Sequence, residues 1–147
     1  EKVDLVAVAY DAEESISALA SDKNVNIAIS GEGTVEMEKD HAYELVKNLM
    51  ENAVRYNEDD GHVFVSVDEK ADKVTLKVKD DGIGIDEENQ SRIFERFYRV
   101  NKSRSRETGG TGLGLSIVKH VAELYGAKLT LSSTLGAGTE ITVSFKK

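Results

Sequence analysis

The apolar positions change period several times along the chain, and each change predicts an element. Residues 3–5 are long enough for a short strand. Residues 6–22 contain no Gly or Pro, and Leu5, Ala9, Ala12, Ile16, Leu19 and Ala20 recur at helical spacing. Residues 25–29 alternate apolar and polar as a half-buried strand does. Gly31 and Gly33 then mark a turn, so residues 34–38 read as the partner strand. Asp40 is a candidate N-cap for a long helix over 40–57, with Ala42, Leu45, Leu49, Ala53 and Tyr56 along one side. The run Asn57-Glu58-Asp59-Asp60-Gly61 closes that helix. Residues 62–68 and 73–79 alternate strictly and predict a hairpin of two strands. Residues 80–86 form a Gly-rich loop, and 87–100 a short helix with a connection. Residues 101–111 are polar and cationic and are expected to be mobile. A helix over 113–125 ends at Gly126, a good C′ residue. Strands over 128–132 and 139–145 follow, joined around Gly136 and Gly138. With no internal repeat, the order predicts one domain over 1–147. Its class is α/β (α+β), a two-layer sandwich with about three helices on one face of a mixed sheet.

Composition narrows the chemistry. The 147 residues, 39% hydrophobic and 31% charged, suit one core and a water-exposed surface. No run approaches the roughly 18 apolar residues of a membrane span, and no targeting segment is visible. The chain opens on Glu1 rather than Met, as expected of a processed or excised chain. The absence of cysteine excludes disulfides and thiolate metal sites and is compatible with a reducing compartment. A net charge of −8 argues against nucleic acid as a partner. The charge is uneven, however. Arg92, Arg96, Arg99, Lys102, Arg104 and Arg106 cluster with Glu95 as the one acid among them, an island that suggests a small anionic ligand or else a solvated loop.

Four stretches carry candidate chemistry. On the 40–57 helix, Asn48, Asn52 and Arg55 form a polar stripe beside the apolar face, with Tyr56 at the boundary. Asparagine is a middling helix former, and its amide oxygen is a hard ligand that Mg²⁺ accepts alongside phosphates and water. Two surface asparagines would look the same. Next, Asp80-Asp81-Gly82-Ile83-Gly84-Ile85 directly follows a strand. A buried carboxylate there could accept a hydrogen bond from an exocyclic amine such as adenine's, and the glycines would let backbone approach a ligand. An acidic turn is the plainer alternative. Third, Gly109-Gly110-Thr111-Gly112-Leu113-Gly114-Leu115-Ser116 opens a helix, where backbone N–H groups bind phosphate. It lacks the Lys of a P-loop and the preceding strand of a dinucleotide fingerprint. That leaves a phosphate loop of another class or a flexible hinge. Finally, Ile93-Phe94-Glu95-Arg96-Phe97-Tyr98-Arg99 alternates aromatics with cations. Phe94 and Phe97 would anchor it to the core, and Arg96 and Arg99 could reach a γ-phosphate.

The order and spacing of these stretches resemble the N, G1, F and G2 boxes of the sensor histidine kinase catalytic domain. That domain shares the Bergerat-type ATP fold with type II topoisomerases, Hsp90 and MutL. The likeness is most specific in Asn48-Leu49-Met50-Glu51-Asn52-Ala53-Val54-Arg55-Tyr56, in Phe94-Glu95-Arg96-Phe97-Tyr98-Arg99 and in Gly110-Thr111-Gly112-Leu113-Gly114-Leu115, and it extends to Gly136-Ala137-Gly138-Thr139. It implies ATP and Mg²⁺ as ligands. Asn52 would coordinate the metal and Asn48 would support the triphosphate. Arg55, where the family usually has Lys, would touch phosphate, and Tyr56 would pack near the nucleotide. Asp80 would bind the adenine amine, with Gly82, Gly84 and Ile85 shaping the pocket. Residues 101–109 would form the ATP lid, and Gly110, Thr111, Gly112, Leu113, Gly114 and Leu115 would close over the phosphates. Arg99, or else Arg96, would meet the γ-phosphate during transfer. Two family prolines are replaced, by Asn57-Glu58 and by Ile83, at positions that supply no chemistry.

The resemblance also sets the reaction class. Hydrolases of the wider group carry a general-base Glu one turn before the magnesium Asn. Asn48 stands there, and an amide cannot take a proton from water. Glu51 sits ~100° from Asn52 around the helix and does not replace it. Phosphotransfer is therefore expected, to a histidine on a dimerisation domain and onward to a response regulator. His41, His62 and His120 are followed by Ala42, Val63 and Val121, which do not match the family's acceptor motif, and the chain has no proline to complete it. The acceptor domain is thus expected to be separate. The isolated domain would be a cytoplasmic monomer, and the parent a homodimer that a membrane could anchor. The alternatives are a serine kinase of the anti-sigma-factor type, which lacks the aromatic and cationic box, and a nucleotide-binding interaction module without catalysis.

Overall fold

In the computed structural model, which describes residues 1–95 and 114–147, the chain forms a sheet of five strands with helices on one face and a small second sheet at its end. The elements are β1 (Lys2–Asp4), α1 (Leu5–Ser15), α2 (Ser17–Lys23), β2 (Asn26–Gly31), β3 (Thr34–Glu36), α3 (Lys39–Arg55), β4 (His62–Glu69), β5 (Lys73–Asp80), α4 (Glu87–Gln90), α5 (Gly114–Leu124), β6 (Lys128–Thr134) and β7 (Gly138–Lys146). The main sheet has the order β2-β4-β5-β7-β6, with β2 parallel to β4 and the other pairs antiparallel.

Strand alternation dictates the layering. Val63, Val65 and Val67 of β4, Val74, Leu76 and Val78 of β5, and Ile141, Val143 and Phe145 of β7 are buried on one face. Against them α3 lays Ala42, Leu45, Val46, Leu49, Met50, Ala53 and Val54, all buried. The helix flanks are covered by Leu5, Val8, Ala9 and Ala12 of α1 and by Val118 and Val121 of α5. The opposite face of the sheet meets solvent, where Phe64 is exposed and Lys77 lies 3.6 Å from Glu140. No helix among the described residues is long and apolar enough to cross a membrane.

Four sequence expectations need correction. The helix over 6–22 is two helices, because Ile16 leaves helical geometry at φ −105°, ψ 10°. Its N–H tightens onto the last carbonyls of α1. Ile16 and Ala20 still face the core, so the apolar period runs through the break unmarked. Leu5 belongs to α1 and not to a strand, since the Asp4 carboxylate caps that helix by accepting from the Val6 and Ala7 N–H groups at 3.0 and 3.3 Å. Asp40 is in the first turn of α3, where its charge suits the helix dipole. The capping position is Glu38, whose side chain makes no cap bond. Finally, β3 does not pair with β2. It pairs with β1 in a separate two-stranded sheet, so the sheet is not single. The backbone at Gly31 turns away at φ +93°, and an added Cβ there would lie 1.9 Å from the Val67 carbonyl oxygen. Glu32 N–H then bonds that same oxygen at 2.9 Å, which locks the exit.

Candidate nucleotide-binding site

The last turns of α3, the loop after β5 and the start of α5 converge at one end of the helical layer. Asn48 and Asn52 are one turn apart on α3 and both half-buried. The Asn48 Nδ2 donates to the Glu44 carbonyl at 2.7 Å, which leaves its Oδ1 as an acceptor. That oxygen faces the start of α5, where a Cβ added at Gly114 would come within 3.2 Å of it. Gly114 therefore allows a close approach of the two helices. Among the described residues, the Asn52 amide has no hydrogen-bond partner. Arg55 points along the helix to Glu51, with its Nε 3.6 Å from that carboxylate. Glu51 is also 3.9 Å from Lys47, so it faces cations. Leu115 packs against the core.

Period-2 alternation separates Asp80, the last residue of β5, from Asp81, which follows it. Asp80 continues the buried face and is 7% exposed. Its Oδ1 accepts from the Gly82 N–H at 2.9 Å and the Thr139 N–H at 3.3 Å. Both bonds fall on one oxygen, and among the described residues Oδ2 has no protein donor. Burial is the largest influence on this carboxyl. It raises the pKa from 3.8 to about 6 against the two backbone bonds, with a further push from Asp81. Asp81 points outward and accepts from the His62 N–H at 2.7 Å and the His62 Nδ1 at 2.9 Å. Partial burial would raise its pKa, but these bonds and one from Asn57 outweigh it and hold the group below the usual carboxylate value.

The loop after Asp80 is fastened on both sides. The Ile83 N–H donates to the Tyr56 carbonyl at 3.3 Å, which joins the loop to the end of α3. A Cβ at Gly82 would lie 2.6 Å from the same Tyr56 oxygen, so a side chain there would force α3 and the loop apart. Gly84 has φ +72°, and its added Cβ would sit 2.1 Å from the Thr134 carbonyl oxygen. The Ile85 N–H donates to Ser133 Oγ at 2.8 Å, and the Gln90 amide donates to the carbonyls of Ile85 and Ser133 at 2.8 and 3.1 Å.

The structure thus brings Asn48 and Gly114 together, with Asn52 one turn further along α3, and it brings Asp80, Gly82, Gly84, Ile85 and Tyr56 together. Arg96, Arg99, Gly110, Thr111, Gly112 and Leu113 lie outside the described residues. Three side chains of the site carry no sequence assignment. Thr139, 8% exposed, pairs with Asp80 across β5 and β7 and bonds Ser133 through its hydroxyl at 2.8 Å. Asn57, 1% exposed, donates to the His62 carbonyl at 3.0 Å and helps hold Asp81. Thr139 was detectable, because it is a polar residue on the parity of Ile141, Val143 and Phe145. Ser133 and Asn57 leave no comparable pattern.

The described chain is thus a two-layer fold with a buried, half-satisfied carboxylate at a strand end and two asparagines on the facing helix. The family model for the histidine kinase-, DNA gyrase B- and HSP90-like ATPases matches residues 37–147. Sensor histidine kinase WalK of Bacillus subtilis is 41% identical over 110 residues, 74% of this chain and 18% of that protein. The phosphate regulon sensor protein PhoR of Pseudomonas aeruginosa is 38% identical over 143 residues, 96% of this chain and 31% of that protein. The mycobacterial sensor histidine kinase MprB superposes with a TM-score of 0.85 at 26% identity, covering 99% of this chain and 96% of the solved one. The chain belongs to this ATPase family, as a catalytic domain of the sensor histidine kinase type with the Bergerat ATP fold. It spans less than a third of the length of WalK and PhoR.

Proposed function

We propose that residues 1–147 form one catalytic domain that binds Mg·ATP and gives the γ-phosphate to a histidine on a separate dimerisation domain, from which a response regulator takes it. The observation that carries the reading is Asp80: a buried carboxylate with both protein bonds on Oδ1, leaving Oδ2 to accept from the adenine amine. A carboxylate kept in a fold where burial penalises its charge is better explained by a ligand than by stability.

The phosphate end would lie between α3 and the start of α5. Asn52 suits a hard cation because its amide oxygen is not committed elsewhere among the described residues. No group of three or more His, Asp or Glu gathers among those residues, so Mg²⁺ would share its coordination with the triphosphate. Bound there, the metal would neutralise phosphate charge. Asn48 and the backbone N–H groups at Gly114 would orient the triphosphate, with Arg55 nearby on α3. Gly110, Thr111, Gly112, Leu113 and Leu115 would shape the phosphate loop, and Arg99, or else Arg96, would meet the γ-phosphate. The acceptor histidine would supply the nucleophile. We place the domain on the cytoplasmic side of a homodimeric parent.

Calorimetry of ATP and GTP with and without Mg²⁺ tests the binding half. ATP should bind in preference to GTP, because GTP presents a carbonyl where adenine presents its amine. Equal affinity for the two would remove Asp80 from the base pocket.

A further inference from the structure

The two ends of the α3–α5 contact differ in kind. At one end, Gly114 lies against Asn48. This is a close approach to which Gly114 brings no side chain of its own. At the other end, just past α5, Tyr125 meets the start of α3. Its hydroxyl accepts from the Glu38 N–H at 3.0 Å and lies 2.6 Å from His41 Nδ1. The two rings meet edge-on with centroids 5.6 Å apart. The Glu38 carboxylate is 3.6 Å from the same ring nitrogen. The second bond joins the phenol oxygen and His41 Nδ1, with the donor set by the imidazole tautomer. Between the two contacts the helices run antiparallel, about 10 Å along α3 from His41 to Asn48 and about 16 Å along α5.

We propose that His41 and Tyr125 are a positioning pair for the phosphate end of the nucleotide site. Their bonds fix how far α5 lies along α3, and so set the backbone N–H groups at Gly114 against the amides of Asn48 and Asn52. This rests on the nucleotide reading above, but it makes a separate claim. The pair touches no ligand, and it should act on the phosphates and not on the adenine, which Asp80 holds on a different element.

The test compares wild type with Tyr125→Phe, His41→Leu and the double variant. Phe keeps the ring that packs on the core, so the fold should persist. Mg·ATP affinity is read by calorimetry, adenosine affinity by NMR titration, and amide exchange is followed at residues 114–118. Either single variant should weaken ATP about three- to tenfold, the scale of one hydrogen bond, and leave adenosine unchanged. Exchange at 114–118 should speed up, and the double variant should lose no more than the singles. Equal losses for ATP and adenosine would overturn the positioning role in favour of a general structural one. Unchanged ATP affinity and exchange would overturn the latch itself. A wild-type chain that binds neither ligand would overturn the nucleotide reading and the positioning role with it, whereas binding with unchanged exchange would sink the latch alone.

Discussion

Asp80 is where the proposed function and stability conflict at the scale of one residue. Its folded pKa of about 6 lies above the ordinary 3.8, so the folded state holds a proton that the unfolded state has lost between those values. The resulting stability is fully present below pH 3.8 and disappears as pH rises through about 6. The ionised group then costs about 3 kcal/mol relative to its protonated form. Asp80→Asn keeps an acceptor for Gly82 and Thr139 but carries no charge. It should be more stable by about that amount above pH 7, with the advantage vanishing towards pH 4. Urea denaturation at several pH values checks this. The same variant should lose ATP affinity by roughly tenfold or more, since an amide N–H₂ would face the adenine N–H₂. In wild type, ATP affinity should rise as pH passes through about 6, when Oδ2 becomes a carboxylate acceptor. Asp80 was legible because it directly follows an alternating strand and precedes two glycines. Its partner Thr139 shows in the alternation of β7, but nothing there reveals that β7 lies beside β5. That adjacency joins residues 59 apart in the chain.

Among elements, α3 carries both the core and the site. Its apolar face is read directly from the sequence period, and Leu49→Ala should destabilise by about 2–5 kcal/mol, the range for a buried leucine. Asn52→Ala on the other face should leave the thermal midpoint nearly unchanged and abolish the Mg²⁺-dependent part of nucleotide affinity. Calorimetry with and without the metal separates the two outcomes, and unchanged affinity would remove Asn52 from the metal site. At the loop after β5, Gly84→Ala meets both a positive φ and the Thr134 carbonyl, and should destabilise by roughly 2 kcal/mol or more. Periodicity located these elements but missed two kinds of feature. It passed over the break at Ile16, because the buried side chains keep their spacing across it. It also paired β3 with β2, because neighbours in sequence usually pair. The actual pairing depends on β4 lying beside β2, a contact that local pattern cannot encode.

For the whole molecule, the proposed function is to hold ATP rather than hydrolyse it. Asn48 offers no base for water, and Glu51 is turned to Arg55 and Lys47. The purified chain should therefore release phosphate slowly even when saturated with Mg·ATP. The fold class was readable from the order of the elements, and the candidate residues stood out because the four stretches bring their own glycines, amides and carboxylate in a fixed order. The second sheet, the Asn57 and Ser133 bonds and the His41–Tyr125 pair were not, since each depends on elements meeting in space. The most direct measurement is to mix the chain, γ-labelled ATP, Mg²⁺ and a helical dimerisation domain bearing an acceptor histidine. The account predicts label on that histidine, dependent on both Asp80 and Asn52, with little free phosphate when the acceptor is omitted. Tight ATP binding with no label transferred, or rapid phosphate release by the chain alone, would contradict it.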